Sequence, residues 1–368
     1  MKKTQKTALL ALSGGVDSSV SALLLKKQGY NVIGLFMRTL RNYSTTNKAC
    51  SSKQFTDEKF AKIISKILGI KLIILDEIKP YKNKVINPMI RDYEKGLTPN
   101  PDITCNKLIK FPVLMKEAEK IKADFIATGH YAQIKKIKSG YQLLAGIDKS
   151  KDQSYFLYEL TQKELSKLIF PIGNLKKEEV RKIAEKHNLP NYNKPGTRGI
   201  CFIGKMPSVK QFLENKIKKR KGKILSSENE ILGTHEGTAF YTIGQKIQEH
   251  LGMQIKKPKQ FAQKRYYIAE KRKNNIIIAA PENHPLLKKK QVIIKNLHLI
   301  NPNEIIPKAN LTARIRHLGK MHKGGLTKHN SQYIFKFSKP VEALAEGQSI
   351  VLYHKNQVLG GGEISNSF

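Results

Sequence analysis

The sequence has 368 residues, enough for two or three domains with ample core, and it carries 67 Lys plus Arg against 29 Asp plus Glu, a formal net charge of +38. No apolar run is long enough to span a bilayer, and Met1-Lys2-Lys3 leads straight into an apolar strand, so no membrane or signal segment is expected and the expected location is cytoplasmic. Three widely spaced cysteines argue against a disulfide framework, and the excess of positive charge points to a polyanionic partner.

Abundant Lys, Asn and Ile are also what compositional drift produces, but drift of that kind does not disfavour Glu. Nucleic acid is therefore the simplest polyanion; no strongly amphipathic basic helix favours a membrane surface.

Ala8 to Leu12 reads as a buried strand, followed by Ser13-Gly14-Gly15-Val16-Asp17-Ser18-Ser19. The two glycines allow a tight, left-handed turn. Asp17, Ser18 and Ser19 are helix-starting side chains, and a helix is expected over Val20 to Gln28 with Gly29 as its terminator. Strand, glycine turn and helix N-terminus together make an anion site, because free N–H groups and the positive end of the helix dipole point at one place. Ser13 and Ser18 add hydroxyls there. No Gly-Lys-Ser/Thr follows, so this is not a Walker loop. An ordinary βα turn is the plain alternative. The string is similar to the pyrophosphate loop of adenylating enzymes, which implies AMP transfer from ATP but no particular substrate.

Asn31 to Met37 is a second strand, 41–55 a polar loop containing Cys50, and Thr56-Asp57-Glu58 the cap of a helix to Leu68. Lys71 to Leu75 is a third strand. This rhythm predicts an α/β fold with a doubly wound, mainly parallel sheet and ligands at the carboxyl ends of its strands. Tyr81 to Lys95 reads as a helix. In Thr98-Pro99-Asn100-Pro101-Asp102-Ile103-Thr104-Cys105-Asn106, two prolines predict an extended, rigid backbone that holds Asp102 and Cys105 in set positions. A stiff connector with a packed cysteine accounts for it as well. One helix is expected to end near Phe111-Pro112 and another to start.

Phe125 to Thr128 is a further strand, with Gly129-His130-Tyr131 at the tip near the first loop. Gly129 there would let a nucleotide approach, and His130 would face a ligand or serve as a hydrogen-bonded structural residue. Ser139-Gly140 turns a hairpin. Lys151-Asp152-Gln153-Ser154-Tyr155-Phe156 mixes charge, amide and aromatic groups suited to phosphate contact and base stacking, or caps an amphipathic helix over Tyr155 to Leu168.

Lys177 to His187 is a charged helix, and Asn191 to Thr197 a loop leading to Gly199-Ile200-Cys201-Phe202-Ile203-Gly204. On spacing alone Cys201 is as readily structural as reactive. Lys205 to Lys221 reads as a basic helix, solvated or phosphate-tracking. From Tyr266 onward, short apolar runs between Gly, Pro and Asn turns predict a small antiparallel barrel or sandwich. The expected domains are a catalytic domain over 1–204, a small central domain over 205–264 and a C-terminal antiparallel β-barrel over 265–368.

Ser-Gly-Gly-Val-Asp-Ser-Ser, Gly34-Leu35-Phe36-Met37, Thr-Pro-Asn-Pro-Asp-x-x-Cys-Asn, Ala-Thr-Gly-His-Tyr, Lys-Asp-Gln-Ser-Tyr-Phe-Leu, Gly-Ile-Cys-Phe-Ile-Gly and Gly360-Gly361-Gly362 occur in this order. The set closely resembles the bacterial tRNA-specific 2-thiouridylase family over essentially the whole chain. The resemblance implies an ATP-dependent transferase that adenylates oxygen 2 of the wobble uridine of tRNA and replaces it with sulfur carried as a cysteine persulfide. By the same resemblance, ATP (with Mg2+) is bound by Ala11, Leu12, Ser13, Gly14, Gly15, Val16, Asp17, Ser18, Met37 and Gly129. Asn100, Pro101 and Asp102 meet the target base. Cys105 is the partner nucleophile and Cys201 the persulfide carrier, and the two end the cycle as a disulfide. His130, Lys151, Asp152, Gln153, Arg316, His317 and Gln348 touch tRNA, as does the central domain. The implied partners are the anticodon loop and stem of tRNA and a persulfide sulfur donor of a cysteine desulfurase relay.

The chemistry is coherent: adenylation turns a poor leaving group into a good one, and the phosphate loop supplies electrostatic help. Thiol exchange releases the sulfur, and Asp102, three residues before Cys105, is placed to shuttle a proton. The chain departs from the family pattern at Arg38-Thr39-Leu40-Arg41, at Gly196-Thr197-Arg198 and at Arg316-His317, which bears on loop electrostatics and donor docking. Another adenylating ligase acting on a small acid, and an idle RNA-binding protein, are the alternative readings. A metal or iron–sulfur site has little support without Cys-x-x-Cys or a His pair.

Overall fold

The computed structural model describes residues 5–39, 48–196, 208–256, 264–303, 306 and 310–368, the side chains of 48–55 excepted. The expected persulfide carrier, Cys201, lies outside the described residues.

The apolar runs of the first half form strands β1 (Thr7–Ala11), β2 (Asn31–Arg38), β3 (Lys71–Asp76), β4 (Phe125–Ala127) and β7 (Leu168–Ile169). All pair in parallel in the order β3-β2-β1-β4-β7. The order reverses between β1 and β4, which places a ligand crevice at their carboxyl ends. One face is covered by α1 (Val16–Lys27), α2 (Lys48–Ile67) and α8 (Lys177–Lys186), packed over Leu10, Val32 and Phe36. The other face packs on α6 (Phe111–Lys120) through Leu9, Leu35 and Ile126.

Several elements differ from expectation. Helix α1 starts at Val16, not Val20, because Gly15 in an extended conformation acts as N-cap while the Ser18 and Ser19 hydroxyls donate back to its carbonyl oxygen, each at 3.0 Å. Helix α2 begins at Lys48, within the stretch read as loop. That stretch is polar but holds no Gly or Pro to break a helix. The helix read over Tyr81 to Lys95 is instead α3 (Ile78–Tyr81), a π turn over Lys82–Ile86 and α4 (Asn87–Glu94).

Pro101 does not extend the chain. It opens helix α5 (Pro101–Cys105) at the first helical position, where its missing N–H is harmless and its φ is already helical. Asn100 Oδ1 caps it by accepting from Ile103 N at 3.4 Å, and a π turn over Asn106–Lys110 carries the chain into α6. The amphipathic run after Tyr155 breaks into a 3-10 turn and α7 (Gln162–Leu165), because Thr161 and Glu164 cap a fresh helix start. The basic run after Lys205 holds α9 (Val209–Glu214) and no longer helix among the described residues.

A hairpin of β5 (Ala132–Ile137) and β6 (Gly140–Ala145) leaves the first domain and pairs with the last strand of the chain, Val358 opposite Leu143. The second sheet has the order β10-β9-β8-β12-β11, from β8 (Gly222–Leu225), β9 (Ile231–His235), β10 (Met253–Ile255), β11 (Tyr266–Arg272) and β12 (Ile276–Pro281). The boundary expected at residue 265 thus falls inside a hydrogen-bonded sheet, since β12 pairs with β8 through Ile277 and Ile224.

The remaining strands are β13 (Lys288–Leu299), β14 (Leu311–Arg314), β15 (His322–His329), β16 (Gln332–Glu342), β17 (Ser349–His354) and β18 (Gln357–Ser367). They are antiparallel, and β13 pairs with both β16 and β18, closing a barrel. Its outer wall joins the first domain in one core with Tyr155, Tyr158, Val351 and Tyr353. Within that seam Arg314 Nη1 pairs with Asp152 Oδ2 at 2.6 Å, the carboxylate being 1% exposed. Arg314→Met strands this buried carboxylate and is expected to lower the unfolding free energy by about 3 kcal/mol, read from urea unfolding. A loss under ~1 kcal/mol would show that the pair does not hold the domains together.

Candidate active site

The turn after β1 is shaped by one close contact. Gly14 has φ +74°, and a Cβ there would lie 2.0 Å from the Asp57 carbonyl oxygen on α2. Only glycine fits both the angle and the space. The N-cap of α1 is Gly15, which has no side chain, so among the described residues no N-cap side chain takes the first-turn N–H groups and they are suited to an anion. Ser13 is exposed at the mouth, with its Oγ 3.2 Å from Ser18 Oγ. Leu12 is fully buried and contributes backbone, its N–H donating to Leu35 O at 2.8 Å. Ala11 ends β1 and Met37 is the last residue but one of β2, both half-buried. A Cβ on Gly129 would lie 2.8 Å from Ser18 N, so that glycine first of all lets the β4 tip pack on α1.

The charge of Asp17 is answered by its partners: Lys177 Nζ lies 2.6 Å and the Tyr131 hydroxyl 2.7 Å from Oδ1. Burial and this carboxylate together push the Tyr131 phenol far above its ordinary value, so it stays a donor. Arg38, the first of the departing residues after β2, makes a bidentate pair with Glu58 at 2.8 Å for both bonds. The loop-side charge is thereby answered from α2. Among the described residues no three His, Cys, Asp or Glu side chains gather as a metal site.

Asp102 and Cys105 share one face of α5 at i, i+3 spacing. Cys105 is buried in the seam between α4 and the second sheet, beside Tyr81, Met89 and Ile109. Burial pushes its thiol above the ordinary value, against the opposing pull of Lys110. The segment before α5 is held by the barrel: Thr98 N donates to Glu346 O at 2.8 Å, and Gln348 Nε2 donates to Thr98 O at 2.8 Å.

Of the residues expected to touch tRNA, Lys151 and Arg316 present exposed side chains. His130 is a correction: it is buried against Phe111 and Phe170, bonded to Thr128 Oγ1 at 2.7 Å, and desolvation drives its pKa well down. Asp152 is a second correction, enclosed with Arg314 and accepting from Gly146 N and Ser154 N. The apolar strand tips around them left no solvated place for either group. Gln153 Oε1 accepts from Tyr131 N at 3.0 Å, and His317 Nε2 bonds Asp152 O at 2.9 Å with its ring 4.3 Å from Phe156. Gln348 braces Thr98. These three therefore position segments. Lys177, Asn191 and Lys194, all around the Ser13–Ser18 turn, escaped the sequence reading because a charged helix and a polar loop carry no spacing that marks them.

Two measurements check this geometry. Iodoacetamide at pH 8 is expected to alkylate Cys105 at least tenfold more slowly in the folded than in the urea-unfolded chain, followed by peptide mass spectrometry; equal rates would contradict its burial. Glu58 is held down to about 2 by its bond to Arg38, from an ordinary value of 4.5. A depressed carboxylate stabilises fully above the unfolded value and progressively less as pH falls toward the folded one. Glu58→Gln is therefore expected to flatten the loss of thermal stability between pH 4.5 and 2; an unchanged slope would refute the assignment.

Three family models cover the chain in succession: a tRNA methyl transferase HUP domain over residues 6–205, a tRNA methyl transferase PRC-barrel domain over 210–281, and an aminomethyltransferase beta-barrel domain over 289–364. A protein of Karelsulcia muelleri (strain GWSS), named tRNA-specific 2-thiouridylase MnmA, is 40% identical over 397 residues, covering 99% of this chain and 100% of its own. One of the same name from Nitrosomonas europaea is 40% identical over 364 residues, with 98% of each chain covered. A third, tRNA-specific 2-thiouridylase MnmA 1 of Geobacillus kaustophilus (strain HTA426), is 40% identical over 99% of this chain and 96% of its own. With three family models in succession and near-complete coverage at about 40% identity, the chain belongs to the tRNA-specific 2-thiouridylase family.

Proposed function

We propose that this chain is an ATP-dependent tRNA-uridine 2-sulfurtransferase. The observation that carries the reading is the uncapped, glycine-bent N-terminus of α1 at the switch point of a parallel sheet, in a chain of this family. ATP would lie with its phosphates on the Ser13–Ser18 turn, and Mg2+ bound with it would supply neutralisation of the triphosphate charge. Asn100, Pro101 and Asp102 face the target base.

The turn's N–H groups stabilise the charge that develops as uridine oxygen 2 attacks the α-phosphorus and pyrophosphate leaves. The terminal sulfur of a Cys201 persulfide then attacks carbon 2 and AMP departs. Cys105, deprotonated with Asp102 as acceptor, attacks the Cys201 sulfur. The S–S bond to the base breaks, a Cys105–Cys201 disulfide forms, the electron pair stays on the base as the thiocarbonyl, and an external thiol later reduces the disulfide. Burial disfavours the Cys105 thiolate in the free chain. Exposed Lys151 and Arg316, with the net charge of +38, hold the tRNA backbone. A persulfide relay protein loads Cys201, and the enzyme works in the cytoplasm.

Purified protein given ATP, unmodified tRNA and a persulfide donor is expected to yield 2-thiouridine by nucleoside mass spectrometry. Cys201→Ser is expected to reduce it at least a hundredfold while leaving tRNA-stimulated AMP formation. Full thiolation by Cys201→Ser would sink the relay; thiolation without ATP would sink the adenylation step.

A further inference from the structure

The phosphate turn is gripped from behind by two side chains of the segment after α8. Asn191, with no exposed surface, donates through Nδ2 to Gly14 O at 3.0 Å and to Ser19 Oγ at 2.9 Å. Lys194 Nζ reaches the same Gly14 carbonyl at 3.2 Å, pairs with Asp57, and lies 4.4 Å from the Phe60 ring centroid. The amide oxygen of Asn191 is buried with no partner among the described residues, so its two bonds, both through Nδ2, hold the amide on the turn.

In a trans peptide the C=O and the following N–H point in opposite directions. Two donors that draw the Gly14 carbonyl toward α2 and the 191–194 segment therefore turn the Gly15 N–H to the opposite side, where it donates a long 3.4 Å bond to the exposed Ser13 Oγ. Lys194 also joins the turn to α2 at Asp57, the residue whose carbonyl excludes any Cβ at Gly14. We infer that Asn191 and Lys194 are positioning residues that pre-set the Gly14–Gly15 peptide as a phosphate donor, and so determine affinity for the ATP triphosphate without touching tRNA. The inference rests on the proposed ATP reading.

The test is equilibrium binding of a non-hydrolysable ATP analogue, with Mg2+, to the full chain and to Lys194→Met, Lys194→Arg and Asn191→Ala, alongside tRNA binding and melting temperature. Lys194→Met is expected to weaken the analogue about tenfold, the loss of one hydrogen bond from a charged donor, with tRNA affinity unchanged. Lys194→Arg is expected to restore most of it, and KM for ATP to rise more than kcat falls. Asn191→Ala follows the same pattern, and Lys194→Met serves alone if Asn191→Ala does not fold. Analogue affinity within twofold of the parent in a folded Lys194→Met overturns the inference and leaves the ATP reading standing. Absence of binding by the parent chain overturns both.

Discussion

The site depends on how closely two backbones approach at Gly14. The Asp57 carbonyl of α2 occupies the volume that any side chain at residue 14 would need, and the left-handed φ of that residue is what bends the strand end back over the first turn of α1. A single constraint thus sets the curvature of the phosphate turn and fixes α2 against the sheet tip. The N-cap of α1 is Gly15, which has no side chain to offer the first-turn N–H groups, while the Ser18 and Ser19 hydroxyls donate to the Gly15 carbonyl.

Charge around this turn is arranged by pairing. Asp17 meets Lys177 and Tyr131, Asp57 meets Lys194, and Glu58 meets Arg38 and Lys62. Acidic residues close to a phosphate site would oppose binding by Coulomb repulsion; each here has a cation within contact distance, so the local field remains favourable to an anion. Arg38 at the end of β2 fits this pattern, for its partner Glu58 lies on α2, the helix that shapes Gly14.

The second half of the site is assembled by domains that lie far away in sequence. Helix α5 carries Asp102 and Cys105, but its approach is held by Glu346 and Gln348 of the barrel, and Cys105 packs in a core shared with Ile224, Leu232 and Ile277 of the second sheet. The Lys151–Phe156 segment is likewise latched to the barrel through Arg314 and His317. Residues that look like solvent-facing nucleic-acid contacts serve as internal ties, and this couples the geometry at α5 to the placement of all three domains.

The sequence by itself determined the parallel sheet, the phosphate turn and the barrel, because each is a local pattern: apolar runs, a Ser-Gly-Gly string between strand and helix, and alternating strands with turn residues. The three-residue spacing of Asp102 and Cys105 is also legible there, but the helix that carries both is not, since Pro101 starts it where the two prolines alone predict an extended backbone. Tertiary structure alone decided that His130 and Asp152 are buried, that 266–281 belongs to the second sheet, and that Asn191, Lys194 and Arg314 matter. Those outcomes depend on which backbone comes within hydrogen-bond range across long separations, such as Asn191 with Gly14 or Arg314 with Asp152. No periodicity or spacing along the chain encodes such distances, since burial is a property of the packed neighbours and not of the residue.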